Sequence, residues 1–136
     1  MSTIIVGWTP MAEGEAALRH AVGEAKLHGD ELLVVNVSAR SDPPEDTFAD
    51  EEELREVRAF LDGEGVPYTL RQLVRGKDAA EEIVGLAAEH DARCIVIGLR
   101  HRTPVGKLLL GSNSQRILLE AHCPVIAVKA AGAKKR

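Results

Sequence analysis

Two kinds of apolar pattern alternate along this chain. Compact, β-branched runs occur at Ser2–Trp8 (STIIVGW), at Glu31–Val37 (ELLVVNV) and at Cys94–Ile97, each with the length and composition of a buried strand. A third strand, Pro67–Val74, alternates at Tyr68, Leu70 and Gln72, and a last one covers Pro124–Lys129. Between them the apolar positions recur at helical spacing. Glu13–Gly29 places Leu18, Ala21, Val22 and Ala25 on one face, and His28-Gly29-Asp30 supplies its stop. Ala49–Gly63 turns Leu54, Val57, Phe60 and Leu61 inward. Asp78 is the expected N-cap of a helix through His90 with Ile83, Val84, Leu86 and Ala87 inward. The pattern predicts a fourth helix at Ser112–Ala121 that buries Ile117, Leu118 and Ala121. Ser38–Thr47, with Pro43-Pro44, reads as the one clear loop.

Strands that alternate with crossover-length helices, with no hairpin signature between them, predict an α/β fold. The expected architecture is a doubly wound, five-stranded parallel sheet flanked by about four helices. One domain covers residues 1–129, and residues 130–136 form a flexible basic tail without periodicity. In such sheets ligands bind beyond the carboxyl ends of the strands, where the strand order reverses. The loops after Trp8, Val37 and Gly98 converge on that edge.

The stretch Ala92–Ser114 carries the chemistry. A strand ends in Gly98, a basic loop follows, and Gly111-Ser112-Asn113-Ser114 opens a helix. Backbone N–H groups at a helix start are unpaired and partly positive, so phosphate oxygens sit there readily. The same two glycines and serine would also serve simply to turn a strand into a helix.

Composition narrows the partners. The 136 residues are 45% apolar and 28% charged with a net charge of −4, so no basic face stands out for nucleic acid. Aromatic residues make up 3%, too few for base-stacking platforms. Cys94 and Cys123 lie beside strand runs and read as free thiols in a reducing compartment. The start lacks a secretory pattern, and no apolar run approaches membrane-spanning length, so a cytoplasmic protein with no membrane partner is expected.

With these residues in view, the chain resembles the universal stress protein family over nearly its whole length. The signature of its ATP-binding branch is glycine, two residues, glycine, nine residues, then glycine followed by serine or threonine. Gly98, Gly111 and Ser112 fall at matching positions. IIVGW with GEAALRHAV, and the closing GSNSQRILLEAHCPVIAVK, are similar to the family's first and last elements. Two positions depart: His101 replaces the second glycine, and Thr9-Pro10-Met11 stands where the family often has Asp-Gly-Ser.

The resemblance implies a Rossmann-like fold of the adenine nucleotide alpha hydrolase type, with ATP or AMP as ligand and magnesium as a companion. It places phosphates at the backbone of Gly98, His101, Gly111, Ser112 and Asn113, with the Ser112 hydroxyl as a further donor; by its own chemistry the basic loop adds a protonated His101 ring and Arg100 as phosphate contacts. Adenine would lie against backbone near Thr9 and Val37. It also implies a homodimer joined through the last strand, Pro124–Lys129, whose apolar edge is a liability if left bare.

Other motifs read more plainly. Gly106-Lys107 lacks the glycine and hydroxyl residue of a Walker loop. His20, Glu24 and His28 have metal-ligand spacing but also suit a solvated helix flank. His122-Cys123 point apart on an extended segment, and Asp50–Glu53 suits a helix start. No catalytic triad, paired catalytic carboxylates or metal cage is visible, which suggests binding rather than turnover. The competing readings are an interaction protein of this fold that has lost nucleotide, and a weak ATPase.

Overall fold

The computed structural model describes residues 1–99 and 110–130. In chain order the elements are β1 (Thr3–Gly7), α1 (Ala12–His28), β2 (Glu31–Val37), α2 (Glu51–Glu64) and β3 (Tyr68–Leu73). They continue with α3 (Ala79–Glu89), β4 (Cys94–Leu99), α4 (Ser112–Glu120) and β5 (Val125–Lys129). All strand pairings within the sheet are parallel, and the strand order is β3-β2-β1-β4-β5. The chain steps outward from β1 to β3, then α3 carries it back across β1 to start the other half. The reversal point is therefore between β1 and β4, where Ile5 pairs with Ile95.

Strand position explains strand composition. The three inner strands are apolar on both faces because helices cover both, and Ile4, Ile5, Val6, Val34, Ile95 and Val96 have no exposed surface. One layer packs α1 and α2 on Ile4, Val6, Leu32, Val34, Cys94 and Val96. The other packs α3 and α4 on Ile5, Leu33, Val35, Ile95 and Ile97. The edge strands β3 and β5 are only partly covered, so β3 keeps Thr69 and Arg71 among its apolar residues.

The caps follow local chemistry. Gly29 and Gly65 end α1 and α2 in the left-handed conformation. Asp50 accepts from the Glu53 N–H at 2.8 Å, and Glu53 accepts from the Asp50 N–H at 2.9 Å. This capping box starts α2 at Glu51 rather than Ala49 and accounts for the acidic run. Asp78 caps α3 as its sequence position predicts.

One burial expectation needs correction. Leu118 is exposed, because α4 turns Ile117 inward, with Asn113, Ser114 and Ala121 three or four residues away on that face. On α2, Leu54 and Phe60 pack against the core while partly exposed, and the Phe60 ring carries the Arg19 guanidinium 4.9 Å from its centroid.

Two buried carboxylates are held by arginines. Asp30 accepts from Arg93 and from the Ser2 N–H at 3.1 Å, joining the amino ends of β1, β2 and β4. Glu82 accepts from Arg75 at 2.9 and 2.5 Å. In each case the arginine hydrogen bond holds the carboxyl below its ordinary value, against the opposing effect of burial. The folded protein thus binds fewer protons than the unfolded chain in this range. The stability these pairs contribute is present above the ordinary values of 3.8 and 4.5, and is lost as pH falls through the depressed folded values. The melting temperature is expected to drop steeply below those values, and Asp30→Asn should flatten that drop in a series of thermal melts.

Candidate functional site

The carboxyl ends of β1, β2 and β4 open onto a cleft of about 450 Å³, placed at the reversal of strand order. Its floor is apolar, from Val35, Val37, Ile83, Ile97 and Ile117. Trp8 and Thr9 enter from β1, Gly98 and Leu99 from β4, and Gly111 to Ser114 from the start of α4. Arg40, Glu45 and Thr47 come from the loop after β2.

Six of the residues singled out from sequence thus meet in one place: Thr9, Val37, Gly98, Gly111, Ser112 and Asn113. Arg100 and His101 lie outside the described residues, as do Gly106 and Lys107.

Gly98 has a packing cause of its own. A Cβ there would stand 1.9 Å from the Glu13 carbonyl oxygen, and one on Gly14 would stand 2.0 Å from that of Thr9. The start of α1 is seated directly on the ends of β1 and β4, with backbone against backbone. Only residues without a side chain permit that approach.

At the opposite wall, Gly111 is the N-cap of α4 and makes no side-chain capping bond. The first turn contains no acidic residue, so its partial positive charge is not offset within the helix. Asn113 turns its side chain away from this role: its Oδ1 accepts from the Ala80 N–H at 3.0 Å. Arg116 donates to Asp78 at 2.6 Å, and together these bonds fasten the starts of α3 and α4. What Ser112 to Ser114 offer a ligand is chiefly backbone N–H, with the exposed Ser112 hydroxyl beside it.

The loop after β2 is held by a network that sequence reasoning missed. The Ser38 hydroxyl donates to the Arg40 carbonyl at 2.6 Å and accepts from the Glu45 N–H at 2.9 Å. Glu45 in turn accepts from the Ala39 N–H at 2.7 Å. Asn36 has no exposed surface and makes four hydrogen bonds, to Trp8, Thr47, Ala49 and Gln72. The available signal was a single asparagine inside the apolar run ELLVVNV, since a buried amide requires partners.

The Thr9 hydroxyl is buried and has no hydrogen-bond partner among the described residues. Thr9→Val keeps the shape and removes that unmet group, so it is expected to leave stability unchanged or raise it by up to about 1 kcal/mol. Urea unfolding measures this, and a clear loss of stability would mean that the hydroxyl has a partner.

The remaining reactive groups are occupied or muted. His20 and His28 both stand on Glu24, at 3.3 and 3.4 Å. Burial pushes the Cys94 thiol up to about 11 and raises Cys123 as well, so neither is a ready thiolate. Among the described residues no helix is long and apolar enough to cross a membrane.

Sequence comparison gives this architecture a family. The model of the universal stress protein family matches residues 1–129. The chain belongs to that family. A universal stress protein of Mycolicibacterium smegmatis is 46% identical over 129 residues, covering 95% of this chain and 98% of the relative. The structure of an Archaeoglobus fulgidus universal stress protein superposes with a TM-score of 0.72 at 32% identity, over 95% of this chain and 98% of that one. Another from that organism, solved in complex with dAMP, gives a TM-score of 0.67 at 28% identity, over the same 95% and 98%. The doubly wound sheet expected from sequence is thus the fold of universal stress proteins.

Proposed function

We propose that this universal stress protein is an adenine-nucleotide-binding regulatory module in the stress response, acting in the cytoplasm through binding and association rather than turnover. The observation that carries the reading is the cleft itself. Thr9 and Val37 line it at the ends of β1 and β2, and the start of α4, which has no side-chain cap, lines it as well. An apolar floor thus adjoins a helix terminus of the kind that receives anions. The dAMP complex of the Archaeoglobus relative supports the ligand class.

In this reading the phosphates of AMP or ATP meet the backbone of Gly98, Gly111, Ser112 and Asn113, with Arg100 and His101 supplying charge from the basic loop. Among the described residues no group of three or more His, Cys, Asp or Glu side chains is arranged to hold a metal ion. Magnesium enters, where it does, as a companion of ATP phosphates. Residues 1–129 act as the domain, and residues 130–136 as its tail. The homodimer forms along β5, where Val125, Ile126 and Val128 are only half-buried and Ala127 is exposed. Neither nucleic acid nor membrane is a partner.

Calorimetric titration with AMP and with ATP, with and without magnesium, tests the ligand. Micromolar binding is expected. Silence toward both nucleotides would favour an interaction protein that has lost them through Thr9 and His101. Phosphate release above that of a Ser112→Ala control would instead make the protein a weak ATPase. Sedimentation at micromolar concentration should show a dimer, and a monomer would remove the β5 contact.

A further inference from the structure

We infer that Asn36 is the positioning residue of the cleft's base end, holding two of its wall segments in place without touching the ligand. The inference rests on the nucleotide reading above and adds a residue to it.

Asn36 does not line the cleft. Its neighbours Val35 and Val37 point into that side of the sheet, so Asn36 points to the other, toward α1 and α2. From there its Nδ2 donates to the carbonyls of Trp8 and Thr47, both at 3.0 Å. Trp8 and Thr47 both line the cleft, one at the end of β1 and the other in the loop after β2. Its Oδ1 accepts from the Ala49 N–H at 2.8 Å and from Gln72 Nε2 at 3.0 Å, and Gln72 also reaches the Ala49 carbonyl at 2.9 Å.

One side chain with no exposed surface thus uses both donors and accepts twice. Fixing the Trp8 carbonyl also fixes its peptide plane, which sends the Thr9 N–H away from Asn36. The α4 end of the cleft receives none of these bonds. A role in positioning therefore predicts that Asn36 governs affinity for the nucleoside part of a ligand and leaves affinity for its phosphate part alone.

The experiment titrates AMP and pyrophosphate into the unmutated protein, Asn36→Asp and Gln72→Leu, well below each melting temperature. Asn36→Asp replaces two donors with an acceptor facing two carbonyls, and protonation returns one donor. It should weaken AMP at least tenfold at pH 7, recover part of that loss toward pH 5, and leave pyrophosphate unchanged. Gln72→Leu removes only the β3 side of the network and should weaken AMP a few-fold. A purely structural asparagine would lower the melting temperature while AMP affinity stayed equal in all three proteins, and that result overturns the inference. Equal weakening of AMP and pyrophosphate overturns it too. If Asn36→Asp does not fold, Gln72→Leu decides by the same criterion. Failure of the unmutated protein to bind AMP overturns the nucleotide reading and this inference with it, whereas unchanged AMP binding in the variants overturns this inference alone.

Discussion

Gly98→Ala is expected to destabilise the protein by about 3 kcal/mol, near the upper range for overpacking a tight interior. The added methyl would lie 1.9 Å from the Glu13 carbonyl oxygen and 2.5 Å from its carbon. Both atoms are backbone, so no rotamer change relieves the contact, and α1 must lift from β4. Gly98 does not have a left-handed φ, so the constraint is space rather than conformation. Urea unfolding gives the magnitude. Gly85→Ala is the control: Gly85 is an exposed glycine inside α3 with nothing within 4 Å of its absent Cβ, and its replacement should stabilise by about 0.5–1 kcal/mol. A loss below about 1 kcal/mol at Gly98 would mean that the α1 start yields easily, and the packing account of this glycine would fail.

Gly111→Val is expected to do the reverse, sparing the fold and removing the ligand. Gly111 has φ −68° and ψ 165°, extended backbone that valine adopts readily. Valine is a poorer N-cap than glycine, but it also restricts the unfolded chain. The two effects oppose each other, and net stability should stay within about 1 kcal/mol. In the proposed nucleotide site, a branched side chain at the mouth of α4 would stand where phosphate oxygens approach the first-turn N–H groups. AMP and ATP affinity should therefore fall by about tenfold or more, equivalent to at least about 1.4 kcal/mol. Calorimetry beside a melting curve separates the two readouts. Unchanged affinity in a folded Gly111→Val protein would move the phosphate site away from α4.

The contrast between these glycines is also the contrast between what pattern and packing reveal. In the sequence both stand at matching positions of one signature and look alike. In the structure both line the cleft, but Gly98 is also pressed against the Glu13 backbone of α1, whereas Gly111 stands at the start of α4 in extended backbone. Spacing alone could not tell them apart, because Glu13 is remote from Gly98 in sequence and meets it only after α1 docks on β4.

Sequence by itself determined the elements, their alternation and the edge of the sheet where a site would lie. Those properties depend on local periodicity and on side chains at chain breaks, such as Asp78 before α3 and Gly29 after α1. It also brought the right loops together, since any doubly wound sheet directs them to one edge. The tertiary structure alone decided the rest. Strand order put β4 beside β1, α4's short inward stripe exposed Leu118, and the Asn113 side chain was drawn to α3. Asn36 acquired four partners from three separate segments of the chain besides its own strand. Each of these depends on which remote backbone atom arrives within hydrogen-bond or van der Waals reach. No periodicity in the sequence encodes that distance.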